Sequence, residues 1–369
     1  MESTSLQDYL HLSYCAPSAQ LKLGRLLTQF GSLKALLREF QSQPTHKISD
    51  DLLCELELLN GRCKKCTTAV KNALKWQEKP SNYIICFEDP RYPPLLKEID
   101  DPPPLLYVEG NHRLLSQIQI AVIGSRRASS YGLRNAYWLS QELSKLGVTL
   151  TSGMAAGIDR KAHEGALAHS GDTIAVVGTG IDGCYPRVNK DLKQTIVQRG
   201  AIVSEFPLGS SPHAFHFPQR NRIISGLSRG VVVIEAALKS GSLITARLAM
   251  EQNRDVFALP GQITNSMAAG CHYLINEGVK LVQCVDDIAQ EIGLCTQDFA
   301  ATDKSAPLGA ATNAERLILN TLKAEPATLD FLLASTSVSE EKLIMSLGAL
   351  EEKQLIQFSF GRYSYCRRS

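Results

Sequence analysis

Arg220 and Arg222 flank Asn221 in the run Phe217-Pro218-Gln219-Arg220-Asn221-Arg222-Ile223-Ile224-Ser225-Gly226-Leu227-Ser228. The apolar stretch Val231-Val232-Val233-Ile234-Glu235 follows, and then Ser240-Gly241-Ser242-Leu243-Ile244-Thr245-Ala246-Arg247. Guanidinium groups pair with phosphate oxygens in a bidentate way, and a Ser-Gly-Ser turn opening a helix turns backbone amides toward an anion. These types at this spacing point to a site for a phosphate backbone.

Three further loops offer the same chemistry. They are Gly124-Ser125-Arg126-Arg127, the stretch from Gly153 to Gly157, and Gly178-Thr179-Gly180, each directly after an apolar run. Glycines let backbone amides approach an oxyanion closely, although any one of these loops also fits an ordinary tight turn between strand and helix. The candidate phosphate-binding set is therefore Gly124, Ser125, Arg126, Arg127, Gly153, Gly157, Gly178, Gly180, Arg220, Asn221, Arg222, Ser240, Gly241, Ser242 and Thr245. Lys190 and Lys193 would extend the basic track, and Tyr185, Phe215 or Phe217 could stack a base. As alternatives, Arg220 and Arg222 could pair with Asp182 or Glu235 inside the fold, and Phe215 and Phe217 suit a core better than a stacking surface.

Other chemistries find weaker support. Gly178-Thr179-Gly180-Ile181-Asp182-Gly183, with Glu205 about twenty residues on, has the form of a dinucleotide fingerprint. Cys184-Tyr185-Pro186 delays the helix that this motif must open until about Asn189, so no cofactor is expected. Asp159, His163 and Glu164 could act as acid or base. A cap on the Gly157 turn for Asp159 and a helix-flank position for His163 explain them as well. His213 and His216 have no third metal ligand in view, and Cys63-x-x-Cys66 has no second pair, so no metal and no catalytic residue is expected.

These loops need a scaffold. From Ile118 onward, strand-length apolar runs alternate with helical patterns, and their continuous hydrophobicity predicts a parallel sheet covered on both faces. The fold class expected is α/β, an extended Rossmann-like doubly wound parallel sheet with an N-terminal helical module and a C-terminal winged-helix module. The expected boundaries are 1–80 for the helical module, 81–295 for the Rossmann-like domain with a core over 118–283, 296–311 for a linker and 312–369 for the winged-helix-like unit. Pro93-Pro94 and Pro102-Pro103-Pro104 predict an extended, non-helical strap between two early strands.

Composition agrees with a globular protein: 44% of the residues are hydrophobic and 21% charged, with a net charge of +2. Between Gln119 and Gln283 stand 17 lysines and arginines against 11 acids, so positive charge concentrates in the central domain. No apolar run reaches the roughly 18 residues of a membrane span, and Met1-Glu2-Ser3-Thr4-Ser5 has no signal-like character, so a cytoplasmic protein is expected. The 10 scattered cysteines suit a reducing compartment.

In order along the chain, the motifs resemble those of the DNA-processing protein A (DprA/Smf) family. They are Gly124-Ser125-Arg126, then Ser152-Gly153-x-Ala155-x-Gly157-Ile158-Asp159 with Ala162-His163, Gly178-x-Gly180-x-Asp182 with Tyr185-Pro186, and Ser204-Glu205. The series continues through the Phe217–Ser228 run, Ser240–Ala246 and Pro260-Gly261. The resemblance implies a non-enzymatic recombination mediator of natural transformation (competence) that binds and protects incoming single-stranded DNA. It also implies loading of the RecA recombinase for homologous recombination, interplay with single-strand binding protein, and a homodimer. A SAM-like character for the N-terminal helices comes from the same resemblance, whereas the winged-helix pattern at the C-terminus is read from three helical stretches (Ala314 to Lys323, Thr328 to Ala334, Ser339 to Lys353) and two short strand runs around Gly361. A nucleoside monophosphate phosphoribohydrolase-like Rossmann enzyme is the alternative, and a regulator acting on duplex DNA through the winged helix is a second.

Overall fold

The computed structural model describes residues 6–15, 20–42, 64–169, 171–294, 313–324, 326–336, 338–352, 355–359 and 361–365. The expected linker over 296–311, Cys63 and the Arg367-Arg368 tail lie outside the described residues. The chain divides into two compact units, 1–296 and 297–369.

The first unit is built on one nine-stranded sheet: β1 (Asn82–Cys86), β2 (Leu105–Gly110), β3 (Gln119–Gly124), β4 (Thr149–Ser152), β5 (Thr173–Val176), β6 (Ala201–Ser204), β7 (Gly230–Ile234), β8 (Asp255–Ala258) and β9 (Lys280–Leu281). The spatial order is β1-β2-β6-β5-β4-β3-β7-β8-β9. Strands β3 to β9 pair in parallel, while β2 joins β6 and β1 joins β2 antiparallel. Strand order runs outward from β3 in both directions, so the sheet has its topological switch point between β3 and β7, where ligands of open parallel sheets bind.

Alternate residues of each central strand enter different cores, as the two-residue period of a strand requires. Ala121, Ile123, Val231 and Val233 belong to one buried cluster. Ile120, Val122, Val232 and Ile234 belong to the other. Helices α1 (Leu6–Cys15), α2 (Gln20–Phe30), α3 (Leu33–Ser42) and α4 (Lys64–Gln77) place Tyr9, Leu12, Leu23, Leu27, Leu36 and Val70 in the same cluster as Ile84 and Leu106 of β1 and β2. The N-terminal helices thus share their core with the sheet.

The strap between β1 and β2 departs from expectation: Pro94–Lys97 forms one helical turn, α5, with proline in its first positions. Proline is tolerated there because that amide has no intrahelical acceptor in any case.

The remaining helices of this unit are α6 (Ser130–Lys145), α7 (Ile158–Leu167), α8 (Lys190–Arg199), α9 (His216–Leu227), α10 (Gly241–Glu251), α11 (Ala269–Asn276) and α12 (Val285–Glu291). The second unit has helices α13 (Asn313–Ala324), α14 (Leu329–Thr336) and α15 (Glu340–Glu352) and the antiparallel hairpin of β10 (Ile356–Ser359) and β11 (Arg362–Tyr365). Its core gathers Ile318, Leu322, Leu332, Leu343, Leu347 and Ile356. No helix among the described residues is long and apolar enough to cross a membrane.

Candidate functional site

The loops after β3, β4 and β7 are tied together at the switch point. Ser125 N donates to Glu235 O at 2.7 Å, and Ile158 N donates to Ser125 O at 3.2 Å. Gly157 has φ +82, and a Cβ on it would stand 2.3 Å from Ser125 O. Only glycine permits this approach of the β4 loop to the β3 loop. Gly157→Ala is expected to destabilise the unit by about 2–3 kcal/mol, read as a lower urea midpoint; unchanged stability would show that the crossing tolerates a side chain.

Glu235, buried and itself at φ +53, fastens the other side. Its carboxylate accepts from Ser129 N at 2.7 Å, from the Ser129 hydroxyl, and from Asn265 Nδ2 at 3.2 Å. The loop carrying Ser125, Arg126 and Arg127 is therefore anchored at both ends.

These loops surround a cavity of about 770 Å³. Gly124, Ser125, Arg126 and Arg127 line it from β3, Arg220 and Asn221 from α9, and Ser240, Gly241, Ser242 and Thr245 from α10. Arg126 and Arg127 are exposed. No carboxylate among the described residues forms an ion pair with either. At the start of α10 the Ser240 side chain makes no capping bond, and its Oγ is a buried atom without a partner. The first amides of α10 therefore lack a side-chain cap from Ser240, as an anion site at a helix N-terminus requires.

Arg220 is held from behind. It is 4% exposed, and its Nη1 donates to Gly153 O at 2.7 Å and to Val176 O. A Cβ on Gly153 would lie 2.3 Å from that Nη1, so a side chain there would have to displace the guanidinium. Burial lowers the Arg220 pKa to about 10, against the charge of Asp159, and the charge of Arg126 lowers it further. Burial also raises the Asp159 carboxyl, with Arg220 opposing. Asp159 Oδ2 accepts from Ala155 N at 3.3 Å, so it braces the turn before α7.

Arg222 goes elsewhere. Residues two apart on a helix point to opposite sides, so Arg220 and Arg222 cannot both face the cavity. Arg222 Nη2 donates to Glu205 Oε2 at 2.5 Å, and its Nε is 3.6 Å from Asp101 Oδ2 on the strap; both Arg222 and Glu205 are buried. Its partners are neither Asp182 nor Glu235. Gly178 and Gly180 also stand behind the cavity rather than in its wall. A Cβ on Gly178 would meet the Phe217 ring at 3.0 Å, and one on Gly180 would meet Asp182 Oδ1 at 2.6 Å. Asp182 accepts from Gly209 N at 2.9 Å, so the fingerprint-like loop holds a neighbouring loop, and α8 opens only at Lys190. Lys193 is engaged by the carbonyls of Ile181 and Gly183, the latter at 2.8 Å.

The aromatic residues divide. Phe217 is half-buried and lines the cavity, with Tyr185 at 5.5 Å between ring centroids and the Arg126 guanidinium 5.7 Å above its ring. Phe215 is 66% exposed and belongs to no core, contrary to expectation. Met267, Pro212 and Ala214 also line the cavity. Met267 Sδ accepts from Ser125 Oγ at 3.5 Å. Nothing in their type announced them, because distant loops bring them in.

His163 lies in the core beneath the site rather than on a flank. Its Nδ1 meets Thr173 Oγ1 at 2.7 Å and its Nε2 is buried without a partner. Burial, aided by the Arg220 charge, lowers its pKa to about 3. The unfolded chain binds the extra proton below about pH 6.5, so stability is full above that value and lost as pH falls, by up to about 1.4 kcal/mol per pH unit. His163→Gln is expected to flatten the stability loss between about pH 6.5 and pH 4.5 in urea titrations; an unchanged slope would assign the loss to other groups.

A family model for DNA recombination-mediator protein A matches residues 83–293. Protein Smf of Escherichia coli is 47% identical over 225 residues, covering 61% of this chain and 60% of that protein. DNA processing protein DprA of Streptococcus pneumoniae is 47% identical over 217 residues, covering 59% of this chain and 76% of that protein. The matched stretch thus spans three fifths of the E. coli relative. The X-ray structure of S. pneumoniae DprA superposes with a TM-score of 0.65 at 36% identity, over 79% of this chain and 99% of that one. A structure of DNA processing protein A from Helicobacter pylori, described for its single-stranded DNA binding mode, gives a TM-score of 0.50 at 33% identity, over 54% and 92%. The matched family is one of recombination mediators rather than enzymes. By the match over 83–293, the chain belongs to the DNA recombination-mediator protein A family.

Proposed function

We propose that this protein is a single-stranded DNA binding recombination mediator whose cavity at the switch point holds consecutive phosphates. The observation that carries the reading is the convergence of Arg126, Arg127 and the buried Arg220 with the uncapped start of α10 on one cavity. Arg126 and Arg127 take phosphates at the rim, Arg220 with its Nη1 already fixed takes one at the floor, and the amides of Gly241 and Ser242 take another. Phe217 and Tyr185 offer ring faces to bases of any sequence. The H. pylori relative's described binding of single strands supports the same ligand class.

Membership of the family supports a fuller role. The protein protects incoming single strands in the cytoplasm during natural transformation, relieves inhibition by single-strand binding protein and loads RecA, working as a homodimer that doubles the phosphate track. The second unit, with three helices and a hairpin, serves as a winged helix. Binding of a labelled single strand, a matched duplex and free nucleoside monophosphates tests the core of this reading. Preference for the single strand with no nucleotide turnover is expected. Turnover of a monophosphate, or preference for a particular duplex, would replace the mediator by one of its rivals.

A further inference from the structure

His213 and Phe215 form an aromatic pair that neither the core nor the cavity uses. A phenylalanine 66% exposed leaves apolar area in water. The His213 ring lies nearly parallel to it, with centroids 5.6 Å apart and planes at 15°. His216 backs both rings edge-on, 5.1 Å from His213 and 4.6 Å from Phe215. His216 in turn stacks on the buried Phe206 at 3.9 Å, and its Nδ1 is 3.2 Å from Gly178 O. The array is continuous from core to surface, so a flat ligand meeting it orders little that is not already ordered.

The position of the array identifies the ligand. Pro212 and Ala214 of the same segment line the cavity, and so does Phe217, two residues beyond Phe215, with Arg126 above its ring. The exposed pair therefore continues the aromatic wall of the cavity outward onto the surface.

We propose that His213 and Phe215 are a stacking platform for one nucleobase of the strand whose phosphates enter the cavity, a base lying outside the cavity itself. The inference rests on the single-strand reading above. Any base fits, because every base has a π face, whereas a duplex keeps its bases stacked within the helix and offers none to the platform. The platform would thus favour single strands without reading sequence.

The test uses the full chain and fluorescently labelled oligothymidylates of increasing length, with wild type, Phe215→Ala, Phe215→Trp and Arg126→Ala compared. Wild type is expected to gain affinity in a step at the length that reaches the platform. Phe215→Ala is expected to lose that step, about tenfold, while matching wild type on shorter oligonucleotides and in thermal melting. Phe215→Trp should keep the step, with indole emission quenched on binding. Should Phe215→Ala fold poorly, His213→Ala and Phe215→Trp still decide the matter. If Phe215→Ala follows wild type at every length while Arg126→Ala weakens binding, the platform is wrong and the cavity reading stands. If wild type binds no oligonucleotide, both are wrong.

Discussion

Arg126→Ala combined with Arg127→Ala is expected to weaken single-strand binding about 100-fold at moderate salt while leaving the urea midpoint unchanged. Both side chains are exposed at the cavity rim and form no ion pair among the described residues, so their removal leaves no buried charge stranded. A charge-assisted bond to phosphate contributes about 1.5–3 kcal/mol, and two of them account for a loss of this size. The variant should also show a shallower dependence on salt, by about 0.7 per phosphate contact removed. Affinity within threefold of wild type would place the phosphates elsewhere.

Arg222→Leu is expected to do the opposite: about 3–5 kcal/mol of stability lost with little change in affinity per folded molecule. Its partner Glu205 would remain buried without a countercharge, and burial already raises the Glu205 carboxyl against the lowering effect of Arg222. Adding Glu205→Leu should restore part of the loss, because an apolar pair of similar volume replaces an ion pair at small cost whereas half a pair does not. The strap should loosen as well, since Asp101 loses its contact with Arg222 Nε. Equal urea midpoints for wild type and Arg222→Leu would contradict the structural role assigned here.

The contrast between Arg220 and Arg222 shows where reading a sequence stops. Both arginines stand in one recognisable run, and both are long, charged and next to an asparagine. The helix that carries them turns one toward the cavity and the other toward the strap, and the choice depends on Glu205 and Asp101, which lie 17 and 121 positions away. The central sheet was legible because its continuous apolar runs can be satisfied only by strands covered on both faces. The antiparallel edge made by β1 and β2 was not, since alternation within a strand is silent about the direction of its neighbour. Phe215 resisted for a related reason: hydrophobicity ranks a phenylalanine as core, while here it is 66% exposed and its neighbour His216 is the ring that packs inward against Phe206. The glycines divide likewise. Gly124 and Gly241 line the cavity, whereas Gly153, Gly157 and Gly178 let neighbouring groups pack behind it.

The most direct test of the phosphate-binding role proposed for the cavity is the affinity of the wild-type protein for a single-stranded oligonucleotide across a series of salt concentrations. With Arg126, Arg127, Arg220 and the start of α10 each holding a phosphate, log K is expected to fall linearly with log salt, with a slope of about −2 to −3. A slope near zero, or no binding at the lowest salt, would contradict the account.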